Sequence, residues 1–186
     1  MKYYWIVFSI FLLLLSNCRI HGVASELPGF SDNDEPKPDE GIAVFSFKSA
    51  NKHYLPSQVT FTPEGKATDE MHFALSGWTY KKTTQRYVFL KQGTYQFTRI
   101  RYRSQQDVQE FSFPTNSFRI KPRRINYIGD FVFVYSRTFR KPYFRVYTQN
   151  NMNRSMLDFY KEYKKIPVRF PLINSYIKMN TTSSSW

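Results

Sequence analysis

The sequence predicts a mainly β protein, with a single antiparallel β-sandwich of about seven to nine short strands and one C-terminal α-helix. Aromatic residues make up 19% of the chain, and each buries a large area when it packs in a core. Short segments of alternating apolar and polar residues recur along residues 41–150, separated by Pro, Gly and Asn, as is typical of strands joined by turns. A single stretch near the end has helical periodicity instead.

The N-terminus has the order of residues found in a secretory signal peptide. Lys2 precedes the run Trp5–Leu15, which is apolar apart from Ser9. A transmembrane helix needs about 20 apolar residues, so this run is too short to span a bilayer. A positive start followed by a short apolar run is typical of a signal peptide instead. We therefore expect residues 1–17 to be a signal peptide.

Two cleavage sites remain open. The segment Leu15-Ser16-Asn17-Cys18 resembles the lipobox of bacterial lipoproteins, in which the cysteine becomes the acylated first residue, although Asn17 stands where Gly, Ala or Ser is usual. Cys18 is the only cysteine, so it has no partner for a disulfide within the chain, and it is the predicted lipidation (palmitate) site. The resemblance implies export to a bacterial cell envelope, as an outer-membrane lipoprotein. Cleavage after Ala24 would instead release a soluble periplasmic or secreted protein.

Charge and composition divide the rest of the chain. Residues 18–40 contain six acidic and two basic residues, a net charge of −4, together with several prolines, and too few large apolar side chains to offset the entropy of ordering. We expect an acidic flexible tether there and a β-sandwich domain over residues 41–150. A C-terminal helix and extension packed on the sandwich follow over 151–180, and 181–186 are expected to be a disordered tail.

Within the domain, each strand is predicted from alternation and from β-branched or aromatic content. Gly93 indicates a tight hairpin, and Gly129 indicates a bulge or a close backbone approach in a long apolar strand. The expected strands are Ile42–Phe47, Val59–Thr62, Met71–Leu75, Arg86–Leu90, Thr94–Tyr102, Glu110–Phe113, Phe118–Lys121, Ile125–Ser136 and Tyr143–Thr148.

The helix is expected over Arg154–Lys165, because Met156, Phe159, Tyr160 and Tyr163 recur at helical spacing and are expected to face the sheet. Asn153 is the expected N-cap, and Pro167 is expected to stop the helix.

The segments FLKQGTYQF (89–97) and FRIKPRRINYIGDF (118–131) follow a hydrophobic leader, a lipobox and a tether. In this order the chain resembles uncharacterised bacterial envelope lipoproteins whose domain is a small transthyretin-like or carboxypeptidase-regulatory-like β-sandwich. The resemblance covers roughly residues 42–148. It implies a fold and a location but no defined activity.

The sequence contains little that indicates a catalytic site. The three histidines show no HExxH or His-x-His spacing, and no nucleophile elbow, Walker loop or GxGxxG motif occurs. We therefore expect no enzymatic activity, no metal site and no cofactor. A hydrolase that uses Asp130, the one acid inside an apolar strand, or His72 remains a minor alternative.

The positions of the basic residues follow a clearer pattern. Residues 41–186 contain 24 basic and eight acidic residues, a net charge of +16, which predicts anionic partners. Because alternate residues of a strand share a face, three arginines on one strand project together, and guanidinium groups bind phosphate and carboxylate. The candidate anion-binding residues are Arg99, Arg101, Arg103, Arg119, Lys121, Arg123 and Arg124.

These observations predict a lipid-anchored, non-catalytic envelope protein whose β-sandwich is a binding or scaffold module. Its expected partners are the membrane, through the N-terminal lipid, and an anionic glycolipid, a cell-wall polymer or another envelope protein; export argues against nucleic acid. The alternative is a secreted OB-like protein that binds a polyanion or nucleic acid through the Arg99–Arg103 face, with salt-dependent affinity.

Overall fold

The computed structural model describes residues 25–26, 29–51, 55–66, 69–75, 83–103, 108–112, 116–138 and 141–184. The predicted signal peptide and Cys18 lie outside these ranges. The described residues form two sheets and one main helix, which confirms the predicted β-sandwich with a C-terminal helix. The strands are β1 (Ser25–Glu26), β2 (Glu40–Ser49), β3 (Leu55–Pro63), β4 (Met71–Ala74), β5 (Thr83–Lys91), β6 (Gly93–Arg103), β7 (Val108–Ser112), β8 (Ser117–Ile120), β9 (Ile125–Thr138), β10 (Lys141–Gln149), β11 (Leu172–Asn174) and β12 (Asn180–Ser184); the helices are α1 (Met152–Glu162) and α2 (Ile166–Arg169).

Each sheet contains six strands. Sheet I has the order β1-β4-β3-β6-β7, with β8 also paired to β6, and sheet II has the order β12-β10-β9-β2-β5, with β11 also paired to β9. Most pairs are antiparallel, but β2 runs parallel to β9, with Ile42 opposite Ile125. This parallel pair brings the start of β2 beside the connection that leads into β9.

Strand β2 is buried on both faces, because sheet II lies between sheet I and α1. Phe45 and Phe47 point into the core between the two sheets, whereas Ile42 and Val44 point into a second core beneath the helix. In that second core the ring of Phe159 from α1 packs edge-on against Tyr87 of β5. The helix packs on the sandwich as predicted through Met156 and Phe159. Tyr160 differs from the prediction, because it lies away from the sheet and is 37% exposed.

The bulge predicted at Gly129 is confirmed. Val44 pairs with Tyr127 but Phe45 pairs with Gly129, so Ile128 is the extra residue. Gly129 has a φ of 145°, which a residue with a Cβ rarely adopts.

Nine of the strands correspond to the predicted ones; β1, β11 and β12 were not predicted. The β5–β6 connection through Gly93 is not the expected hairpin, since β5 belongs to sheet II and β6 to sheet I. Gly93 does have a positive φ of 150°, and the chain turns a corner between the sheets there.

The helix differs from the prediction at both ends. It begins at Met152, so Asn153 lies inside it, and it has no side-chain N-cap. It ends at Glu162, and Pro167 occupies the first turn of the separate helix α2, a position in which the missing N–H of proline costs no hydrogen bond.

Residues 29–40 differ from the predicted flexible tether, because they pack on the domain. The ring of Phe30 stacks on Phe89 with 4.3 Å between centroids, and the Tyr163 hydroxyl donates to the Phe30 carbonyl at 3.1 Å. Arg169 donates to Glu35 at 2.5 Å. Composition predicts a tether because the segment is acidic, but Glu35 pairs with Arg169, Asp32 accepts from backbone N–H groups at the start of α2, and the Phe30 ring has an apolar neighbour.

The predicted disordered tail is also wrong over residues 181–184. Asn180–Ser184 forms β12, which pairs antiparallel with β10 from Tyr147 to Tyr143. The physical reason is that β10 would otherwise be an open edge of sheet II, and backbone groups pair there whatever their side chains are.

Among the described residues, none of the helices has the length and apolar content needed to cross a membrane.

Candidate anion-binding turn

Four of the seven candidate residues lie on or beside one connection. Arg119 is on β8, and the turn from β8 to β9 has the sequence Lys121-Pro122-Arg123-Arg124. All four cationic residues are exposed. We call Lys121–Arg124 the basic turn.

A buried asparagine holds the basic turn in shape. Asn126 is 0% exposed, and its side-chain carbonyl accepts from the Lys121 N–H at 2.9 Å. Its amide group donates to the Lys121 and Arg124 carbonyls at 3.0 Å each and to the Ile42 carbonyl at 3.3 Å. One side chain therefore satisfies both ends of the turn and ties it to β2, which keeps the backbone beneath the cations fixed.

The neighbouring strand fits closely under this clamp. A Cβ on Gly41 of β2 would lie 2.3 Å from the Lys121 carbonyl oxygen and 2.8 Å from Nδ2 of Asn126. Only glycine leaves room for this approach. The Arg123 N–H also donates to the Glu40 carbonyl at 2.8 Å, so the turn is held from β2 as well.

Arg123 is placed by its backbone and by an aromatic ring. Its φ is 51°, in the left-handed region that few residues with a Cβ occupy. Its guanidinium lies 5.4 Å from the centroid of the Phe170 ring, and that of Arg169 lies 5.6 Å from the same centroid. Such cation–π contacts orient a guanidinium and leave its N–H donors available to an anion.

The cations of this region have no carboxylate partner within the described part of the chain. The ion pairs found there do not include Arg119, Lys121, Arg123 or Arg124. Three cations on a rigid turn, with a fourth on the strand before it, form a positive surface to which an anion can bind without first displacing an acid of the described ranges.

Arg99 and Arg101 of β6, in contrast, are paired with acids. They alternate with the buried Ile100 and Tyr102, so they project from the outer face of sheet I as predicted. Arg99 forms ion pairs with Glu70 and with Glu110, the latter at 3.4 Å, and Arg101 lies 3.4 Å from Glu110. These two carboxylates neutralise the face that the sequence favours. The side chain of Arg103 lies outside the described residues.

Asp130 and His72 are not brought together. Asp130 follows the β9 bulge in sheet II, where Oδ1 accepts from the Tyr127 hydroxyl at 2.9 Å and from the Ser155 hydroxyl at 2.6 Å, whereas His72 is on β4 of sheet I. Burial, and then the charge of Asp130, raise the pKa of Tyr127 above its ordinary value, so this hydroxyl stays protonated as a donor. The geometry gives Asp130 the role of fastening α1 to β9.

Sequence reasoning missed the residues that shape the turn, namely Gly41, Asn126, Arg169 and Phe170. One signal was present: Asn126 is a polar residue inside an otherwise apolar strand, and such a residue needs buried hydrogen-bond partners. No local pattern links Phe170 to Arg123.

Within the described residues, no group of His, Cys, Asp and Glu side chains is arranged to hold a metal ion. Comparison of the chain with protein-family models, curated proteins and solved structures finds no match. The resemblance to bacterial envelope lipoproteins therefore stays a prediction.

Proposed function

We propose that this protein is a lipid-anchored binding module of a bacterial cell envelope that recognises phosphate- or carboxylate-bearing molecules through the basic turn, without a catalytic step. One observation carries the binding part of the proposal: three exposed cations, which pair with no carboxylate among the described residues, stand on a turn that the buried Asn126 clamps. Because the backbone is already fixed, little backbone conformational entropy is lost when an anion binds.

Binding to heparin, a soluble polyanion used as a probe, tests this part. In the Lys121→Gln/Arg123→Gln/Arg124→Gln variant of the full chain we expect the affinity to fall about tenfold or more, since each exposed ionic contact contributes up to about 1 kcal/mol. We also expect the dependence of log affinity on log salt to become shallower by about one per cation removed.

The matched control removes three exposed lysines from other elements: Lys48→Gln/Lys66→Gln/Lys178→Gln. It has the same net charge as the triple variant of the turn. If both variants lose affinity equally, heparin responds to net charge alone and the basic turn is not the site.

The anchor is tested separately. We expect metabolic labelling with radioactive palmitate to mark the protein, and Cys18→Ala to abolish the label, because Cys18 is the only thiol in the sequence. A mature N-terminus at Ser25, without added acyl mass, would support the alternative cleavage after Ala24 and would rule out the anchor.

A further inference from the structure

A further cation, at the end of helix α2, lies next to the basic turn. The guanidinium of Arg169 is 5.6 Å from the centroid of the Phe170 ring, and the guanidinium of Arg123 is 5.4 Å from the same centroid. The two cations therefore meet at one aromatic ring, although they are far apart along the chain. A ligand that carries more than one anionic group can contact both of them.

Arg169 differs from the cations of the basic turn because it already has an acidic partner. Its Nη1 donates to the Glu35 carboxylate at 2.5 Å, and its Nη2 donates to the backbone carbonyls of Asp32 at 3.0 Å and Asp34 at 3.5 Å. A guanidinium has five N–H donors, and within the described ranges the Nε–H of Arg169 has no acceptor. Glu35 thus neutralises the charge of Arg169 without using all of its donors.

Glu35 is placed differently from the other acids of residues 29–40. The Asp32 carboxylate accepts from backbone N–H groups at the start of α2, Asp34 accepts from a backbone N–H of the segment itself at 2.6 Å, and Glu40 pairs with a lysine of the segment at 3.6 Å. Among the acids of this segment, Glu35 is the one that the structure shows in an ion pair with a side chain outside it.

The contact between Glu35 and Arg169 is accessible to a competing anion. The Glu35 side chain is 61% exposed and that of Arg169 is 31% exposed, and an exposed ion pair contributes little to stability. The segment keeps other contacts, since Phe30 stacks on Phe89 and Asp32 caps α2. Rotation of the Glu35 side chain into water is therefore enough to free Arg169, and the segment stays in place.

We propose that Arg169 is a further anion-binding residue beside the basic turn, and that Glu35 is an internal competitor that occupies it when no ligand is bound. This inference rests on the proposed function, because the ligand also needs the cations of the turn. It narrows the ligand class to molecules with two or more phosphate or carboxylate groups. Once one group is bound at the turn, the next is held at high local concentration beside Arg169 and displaces Glu35.

Heparin binding to variants of the full chain tests the competition. We expect Glu35→Gln to raise the affinity about two- to fivefold, because the competitor that it removes forms one exposed ion pair. Asp158→Asn is the matched control, since Asp158 is also an exposed carboxylate, 3.4 Å from Lys161 of α1, and its loss changes the net charge equally. In an Arg169→Gln background the gain from Glu35→Gln should fall to the gain that Asp158→Asn gives.

Two results would overturn the inference. One is an affinity for Glu35→Gln that is no higher than that of Asp158→Asn, and the other is a gain that persists undiminished in the Arg169→Gln background, because net charge alone would then explain it. The first comparison decides the matter by itself if Arg169→Gln does not unfold cooperatively. The proposed function survives either result as long as the triple variant of the turn binds heparin more weakly than its lysine control; if those two bind equally, the proposed function fails and the inference falls with it.

Discussion

A single buried amide organises the basic turn at the scale of residues. Asn126 makes its hydrogen bonds to Lys121, Arg124 and Ile42 inside the protein, where an unpaired backbone group costs about 1–3 kcal/mol. The same contacts therefore stabilise the fold and present the cations. Gly41 completes this arrangement because its missing side chain lets the Lys121 carbonyl approach.

Gly41→Ala tests the close approach. The added methyl would meet the Lys121 carbonyl and the Asn126 amide, so the turn must shift; overpacking of this kind costs about 1–3 kcal/mol. We expect chemical denaturation to show a free energy of unfolding lowered by that amount and heparin affinity to fall with it. Gly29→Ala is the control, since nothing lies within 4 Å of a Cβ there. Equal stability of the two variants would contradict the clamp.

At this scale the sequence identifies the cations but not their partners. The alternation of Arg99 and Arg101 correctly predicts a shared face. Glu110, however, lies opposite Arg101 in the β6–β7 pairing and reaches Arg99 from there. Glu70 directly precedes β4 and reaches Arg99 only because β3 brings β4 and β6 into one sheet. These long-range contacts, which a single sequence does not display, pair Arg99 and Arg101 with acids, while the basic turn has no carboxylate partner within the described ranges.

At the scale of elements, helix α2 is capped by a residue far away in the sequence. The Asp32 carboxylate accepts from the backbone N–H groups of Lys164 at 3.1 Å, Lys165 at 2.9 Å and Ile166 at 3.2 Å. Desolvation acts to raise the pKa of Asp32, but these N–H groups and the charge of Lys165 outweigh it and lower the pKa below its ordinary value. The N-terminal amides of the helix are satisfied by the segment that composition predicts to be a tether.

Asp32→Asn tests this contact through pH. Because the folded pKa is lowered, the charged carboxylate contributes stability that is present above its unfolded pKa and is lost as the pH falls through the folded pKa. We expect Asp32→Asn to lower the melting temperature at pH 7, with the difference from the parent chain shrinking below pH 4, about the ordinary pKa of an aspartate. Asp39→Asn, an exposed change in the same segment, should have little effect; a pH-independent difference for Asp32→Asn would argue against the cap.

Strand positions were predictable because alternation is a local property, and the nine predicted strands correspond to β2–β10. The pairing of the strands was not predictable in the same way. The β5–β6 corner has the sequence of a hairpin, yet each strand finds its partners in a different sheet. Strand β12 has small polar residues without an apolar pattern, and it forms because the edge of β10 offers backbone partners.

For the whole molecule, the elements form three layers, with the outer face of sheet I, which carries Arg99 and Arg101, on the opposite side from α1 and α2. Sheet II is covered by sheet I on one face and by α1 and α2 on the other, and the basic turn enters β9 at the end that adjoins Phe170. The chain is strongly basic, with a net charge of +13, which attracts anions over long range. Under the proposal, local contacts decide where they bind, because Arg99 and Arg101 are paired with acids, whereas the cations of the turn have no carboxylate partner in the part of the chain that the structure describes.

The position of the bound anion is the most direct test of this account. Titration of the isotope-labelled full chain with a heparin oligosaccharide, followed by the shifts of backbone amide signals in NMR spectra, locates the site residue by residue. We predict the largest shifts at Lys121, Arg123 and Arg124, with Phe170 moving beside them. Largest shifts at Arg99 and Arg101, with the basic turn unchanged, would contradict the account.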